Sequence, residues 1–168
     1  MDIQDAFEQG GGDDKRESSK ILVSIFNRRG QPKFRKELLE NYESKCAITE
    51  FNFEQALEAA HILPYAENGT NEAWNGLLLR CDIHNLFDLH FITVHPETRQ
   101  VCISPELKRT KYEEELKTAK LRQPKDKASS PCKKALGRHY NECGWIKSKK
   151  SQIDLHKIIC TCLSCQRD

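Results

Sequence analysis

Residues 58–88 read EAAHILPYAENGTNEAWNGLLLRCDIHNLFD, and the order of features within them decides the fold. The apolar stretch Leu57–Ile62 predicts a short strand. PYAENGTNEAW at 64–74 carries Pro, Gly and several Asn, the composition of a well-formed surface loop. GLLLRC then predicts a second strand. DIHNLFDLH offers Asp82 as an N-cap and sets Ile83, Leu86 and Phe87 on one side of a short helix. The passage therefore reads strand, long loop, strand, short helix.

Working outward, KFRKELLENYESK places Phe34, Leu38, Leu39 and Tyr42 at helical spacing, which predicts a helix over 32–43. Ile21–Phe26 is a short β-leaning run, and CAITE at 46–50 reads as a short strand. Downstream, FITVHPETRQVCISPEL predicts a hairpin turning at His95–Arg99, and helices are expected over 108–118 and 132–143. Residues 1–20, with GGG and clustered acids, read as a flexible leader. Residues 147–168 are Lys-rich, end in CTCLSC and read as a separate tail. One domain is expected over 28–146.

The 168 residues suffice for one compact domain with tails. No stretch approaches the roughly 20 apolar residues that a membrane span needs, and the polar start carries no secretory signal. An intracellular protein of cytoplasm or nucleus is expected. The net charge is +2, yet 107–150 holds 14 bases against five acids, while 50–72 holds five acids and no Lys or Arg. A basic flank beside an acidic segment suits a protein that grips phosphates with one part and gathers a cation with the other. Solvated helix surfaces with no partner explain the same numbers. The eight cysteines lack two regular CxxC pairs, so no zinc ribbon follows from them.

Phosphodiester hydrolysis needs a base to deprotonate water, a cation on the scissile phosphate and a stabiliser for the leaving oxygen. A neutral imidazole on a strand, His61, suits the first task because histidine titrates near working pH. A second imidazole on a facing helix, His84, suits the second. Taken alone, His61 reads as a structural histidine and Asn75-Gly76 as a turn; their order and spacing give them weight.

EAAHILPY, NGLLLRCDIHNLFD and the upstream RRGQPKFRKELLENYESKCAIT together resemble the HNH endonucleases of the ββα-metal class, from Arg28 to Trp145. The resemblance implies an α+β fold, with a ββα-metal nuclease core, peripheral helices and a β-hairpin. It implies that His61 is the general base, that Asn75 ties down the loop behind it, and that His84 is a metal ligand. Asp88, four residues on, shares a helix face with His84 and is assigned as a second ligand. Many HNH nucleases carry Asp or His just before the base; here that position is Ala60. Glu58 points to the same strand face and is a substitute candidate, about 7 Å away along the strand. A ligand-poor site of this kind suits Mg²⁺, which retains waters, with Mn²⁺, Ni²⁺ or Zn²⁺ open.

Arg28, Arg29, Lys33 and Arg35 cluster at the start of the first long helix, and Arg80 precedes the His84 helix; all five are candidate DNA-phosphate contacts. For Arg29 and Arg35 the alternative is pairing within the fold. Thr49 and His84 stand where a core zinc site would need cysteines opposite Cys46 and Cys81. In the tail, His156, Cys160, Cys162 and Cys165 read either as four zinc ligands or as an unstructured thiol-rich end. His90, His95 and His139 read as structural or exposed. The expected activity is DNA cleavage, one strand per site, so a double-strand break needs a homodimer or repeated nicking. Two other classes fit less of the pattern: a nucleic-acid-binding protein that kept the fold without catalysis, and a zinc-dependent interaction module.

Overall fold

The computed structural model describes residues 31–64, 70–146, 153, 154 and 157. The expected leader, the Ile21–Phe26 run, Arg28 and Arg29 lie outside them, as do residues 65–69 of the loop and nearly all of the tail with its His156, Cys160, Cys162 and Cys165.

The centre is an antiparallel hairpin, β1 (Leu57–His61) against β2 (Gly76–Arg80), in register from Leu57 opposite Arg80 to His61 opposite Gly76. The first four residues of each strand are buried, which explains the unbroken LLL of β2: both faces are covered, so alternation disappears. Helix α1 (Pro32–Asn41) and helix α2 (Cys81–Asp88) both pack on the hairpin. Phe34 of α1 lies on His61, and His84 of α2 reaches Glu58. Since Glu58 and His61 are an odd number of residues apart, the helices cover opposite faces.

A second hairpin joins β3 (Ile92–Val94) to β4 (Val101–Ile103), turning through His95–Arg99 as the sequence predicts. Helices α3 (Lys111–Leu116) and α4 (Lys133–Glu142) fall inside their expected spans. The Cys132 Sγ caps α4 by accepting the Ala135 N–H at 3.4 Å. Among the described residues this is an α+β fold of four α-helices and two two-stranded sheets, with one core running through Phe34, Leu38, Leu57, Leu77–Leu79, Ile83, Phe87, Ile92 and Leu136.

Two local expectations are corrected. CAITE is a turn, not a strand: Glu50 N–H donates to Cys46 O and Cys46 N–H to Phe51 O, with Glu50 at φ 59°. The buried Cys46 Sγ accepts the N–H groups of Thr49 and Arg80, and Ala47 N–H reaches Leu78 O, so local and long-range bonds outweigh β propensity there. Asp82 is not the N-cap of α2; Arg80 stands there and Asp82 lies in the first turn, where its carboxylate is bound to the Arg80 guanidinium.

Gly76 is required by close packing. A Cβ there would stand 2.6 Å from Phe34 Cζ and 2.8 Å from Leu38 Cδ1, both in fully buried side chains. Gly76→Ala is expected to destabilise the fold by about 1–3 kcal/mol, the usual cost of overpacking a core, and urea unfolding measures it.

Candidate active site

His61 is the last residue of β1, where the hairpin opens into its long loop. Its ring stacks on Phe34 with centroids 4.4 Å apart and planes at 15°, and its Nε2 lies 3.0 Å from Asn71 Oδ1. One ring face is thus dry and the ring edge is fixed by a carboxamide. Whichever tautomer is present, the amide can present its oxygen or its nitrogen to that edge.

Behind it, Asn75 is completely buried. Its Oδ1 accepts the Leu63 N–H at 2.9 Å, and its Nδ2 donates to Leu63 O and Thr70 O, both at 3.1 Å. Its own carbonyl accepts the Ile62 N–H at 2.9 Å. The side chain therefore bonds both limbs of the loop immediately after His61. This is a use of Asn that a turn-forming residue would not need.

The third group lies across β1. His84 Nδ1 is 2.7 Å from Glu58 Oε2, and His84 Nε2 is 3.2 Å from Asp88 Oδ2. Burial alone would push the His84 imidazolium down, but hydrogen bonds to Asp88 and Glu58, with their charges, outweigh it and raise the ring to about 9. The Glu58 side chain is 11% exposed and that of Asp88 58%, so one nitrogen faces the interior and the other opens to solvent. Ala60 is fully buried in the core and offers no ligand.

The structure thus brings Glu58, His84 and Asp88 together on one face of β1 and His61, Asn71 and Asn75 together at its end. The basic candidates fare differently. Arg35 donates to the carbonyls of Leu57 and Glu54, the fold-holding alternative. Arg80 is bound to Asp82 at 2.6 Å and to both Glu115 carboxylate oxygens at 2.9 Å. Burial would raise the Asp82 carboxyl, but Arg80 overrides it and holds that carboxyl below its ordinary range. Lys33 is exposed at the start of α1. Phe34 and Asn71 were not expected at the site. Phe34 carries only the signature of a core residue, and Asn71 only that of a polar loop.

A family model described as HNH endonuclease matches residues 46–95, a segment that contains both strands of the central hairpin, α2, and Glu58, His61, Asn75, His84 and Asp88. No curated protein matches the chain.

Asn75→Ala is expected to lower stability by about 2–6 kcal/mol, because it strands the N–H and the carbonyl of Leu63 at about 1–3 kcal/mol each, while the carbonyl of exposed Thr70 can turn to solvent. Asn75→Asp should give no rescue, since its second carboxylate oxygen would face the carbonyls of Leu63 and Thr70. Chemical denaturation of the two variants checks both statements.

Proposed function

We propose that the chain hydrolyses phosphodiester bonds in DNA with the help of a divalent cation, a reading supported by the match of residues 46–95 to a family model described as HNH endonuclease. The observation that carries this reading is the pairing of a loop-anchored His61 with the Glu58–His84–Asp88 chain on the same strand, inside the matched segment.

His61 is the base that takes a proton from the attacking water. Phe34 and Asn71 limit the ring to one orientation, and Asn75 fixes the backbone that follows it, so little orientational freedom is lost when water and phosphate arrive. Three residues of strand, about 10 Å, separate His61 from Glu58, a span suited to a water, a phosphate and a cation in line.

The donor set at His84 fits a divalent ion, with one refinement of the ligand assignment. An imidazole whose two nitrogens each meet a carboxylate can ligate through one nitrogen and be oriented through the other. Nε2 and Asp88, at the solvent side, would hold the ion; Glu58, buried on Nδ1, would hold the ring. When bound, a divalent ion supplies charge stabilisation for the phosphorane and the leaving oxygen. Two protein ligands leave most of the coordination sphere to water and phosphate oxygens, which favours Mg²⁺ or Mn²⁺.

DNA-backbone contacts fall to Lys33, to Arg28 and Arg29, and to the basic stretch 107–150, since Arg35 and Arg80 are engaged within the fold. No helix among the described residues is long and apolar enough to cross a membrane.

Supercoiled plasmid incubated with the protein and Mg²⁺ or Mn²⁺ should give nicked circles before any linear product, unless two copies act together. His61→Ala should slow nicking about 10²–10⁴-fold, the usual contribution of a general base. Asp88→Asn and Glu58→Gln should instead raise the metal concentration for half-maximal activity about tenfold or more. Absence of cleavage with Mg²⁺, Mn²⁺, Ni²⁺ and Zn²⁺ alike would overturn the enzyme reading; a gel shift indifferent to His61→Ala would then identify a binding protein.

A further inference from the structure

Helix α2 ends in a motif with an unusual occupant. Phe91 N–H reaches back to Leu86 O and His90 N–H to Phe87 O, the paired bonds of a Schellman cap, and His90 sits in its left-handed position at φ 57°. Glycine normally occupies that position because a Cβ is unfavourable there. A histidine held in it directs a ring toward α4, where His139 and Cys143 stand one helical turn apart. The His90 and His139 ring centroids are 4.6 Å apart, and His90 Nδ1 is 3.9 Å from Cys143 Sγ.

We propose that His90, His139 and Cys143 form a zinc site that fastens α4 to the end of α2. One ligand atom from each of the three lies within 4.8 Å of those from the other two. Zinc takes nitrogen at about 2.0–2.1 Å and thiolate at about 2.3 Å, which at tetrahedral angles puts ligand atoms about 3.4–3.6 Å apart; the His90–Cys143 pair at 3.9 Å is already close to that, and the rest of the cluster must tighten on binding. His139 is oriented as a ligand: its Nε2 donates to Phe87 O at 3.0 Å, which leaves Nδ1 as the acceptor, presently bonded by the Thr93 hydroxyl at 2.8 Å. A backbone carbonyl on the far nitrogen is the usual partner of a metal-bound imidazole. Phe87 O thereby accepts from both His90 and His139, so two ligands hang on one carbonyl. Trp145 Nε1 holds the carbonyl of His90 at 2.6 Å from the other side.

On binding, the Thr93 hydroxyl hydrogen turns away from His139 Nδ1, and the Cys143 thiol, which donates to His139 O at 3.4 Å, gives its proton to solvent. Half-buried His90 lies on the accessible side, and a water completes four-coordination there. The mixed imidazole and thiolate donors select zinc over Mg²⁺. The site differs chemically from the one at His84, which contains no sulfur.

The test uses the full chain with Cys160, Cys162 and Cys165 replaced by Ser, so that tail thiols contribute nothing. Titration with Co²⁺ as a zinc probe should give a near-ultraviolet thiolate-to-cobalt band that Zn²⁺ abolishes, and Zn²⁺ should raise the Tm. Cys143→Ser should remove the band. His90→Asn, which keeps a side chain tolerant of the left-handed backbone, should weaken zinc binding about tenfold or more while circular dichroism shows the fold retained. Absence of the band in the parent, a band that survives Cys143→Ser, or zinc affinity unchanged in His90→Asn would overturn the proposal. Should Cys143→Ser not fold, the affinity of His90→Asn decides.

Discussion

The buried carboxamide of Asn75 is the constraint on which the site depends. Fourteen residues, 62 through 75, separate His61 from its strand partner Gly76, and a loop of that length carries a large closure entropy and little intrinsic geometry. One side chain with a donor and an acceptor face supplies the missing geometry. It bonds Leu63 through both backbone groups and Thr70 through its carbonyl, so the chain leaving His61 and the chain returning to β2 meet at the same amide. A carboxamide head donates and accepts in one plane from a single short side chain, as this position requires. A carboxylate would meet two carbonyls with its own lone pairs.

From that anchor the strand distributes two kinds of chemistry by alternation. His61 is laid against Phe34 of α1, and Glu58 against His84 of α2. The first environment takes water from one face of a ring without bringing a charge to it. The second gathers two carboxylates around an imidazole, and their hydrogen bonds and charges hold its proton against the effect of burial. A short hairpin with both faces covered thus keeps an uncharged setting for one imidazole and a doubly acidic setting for another on opposite faces of the same strand.

Much of this arrangement is legible in the sequence because it rests on local rules. The long apolar run of β2, the i and i+4 spacing of His84 and Asp88, and the Pro-Glu-Thr turn of the second hairpin are short-range signals, and the structure places their elements where they point. What escapes is long-range. CAITE has strand-like residues, but the buried Cys46 sulfur collects N–H groups from Thr49 and from Arg80, 34 positions away, and makes a turn. Arg80 looks like a phosphate contact until Glu115, from a distant helix, is seen to close on it. Asn71 lies in a loop whose Pro, Gly and Asn mark only a surface loop, so its bond to His61 has no sequence signature. The Glu58–His84 bond is intermediate: strand parity makes Glu58 available, but only the packing of α2 brings the two together.

Ala60 carries a consequence for which substitutions the strand can accept. The methyl group beside His61 is fully buried, paired across the hairpin with Leu77, which is fully buried too. Placing an acidic residue there is therefore more than a one-residue change. A carboxylate at 60 would enter a packed apolar layer, and an uncompensated buried charge costs several kcal/mol, a large part of the stability of a small domain. Accommodating it would require the facing leucine and the α2 side chains around it to shrink or turn polar first. The alanine and the tight core around it therefore constrain one another, and neither can change alone.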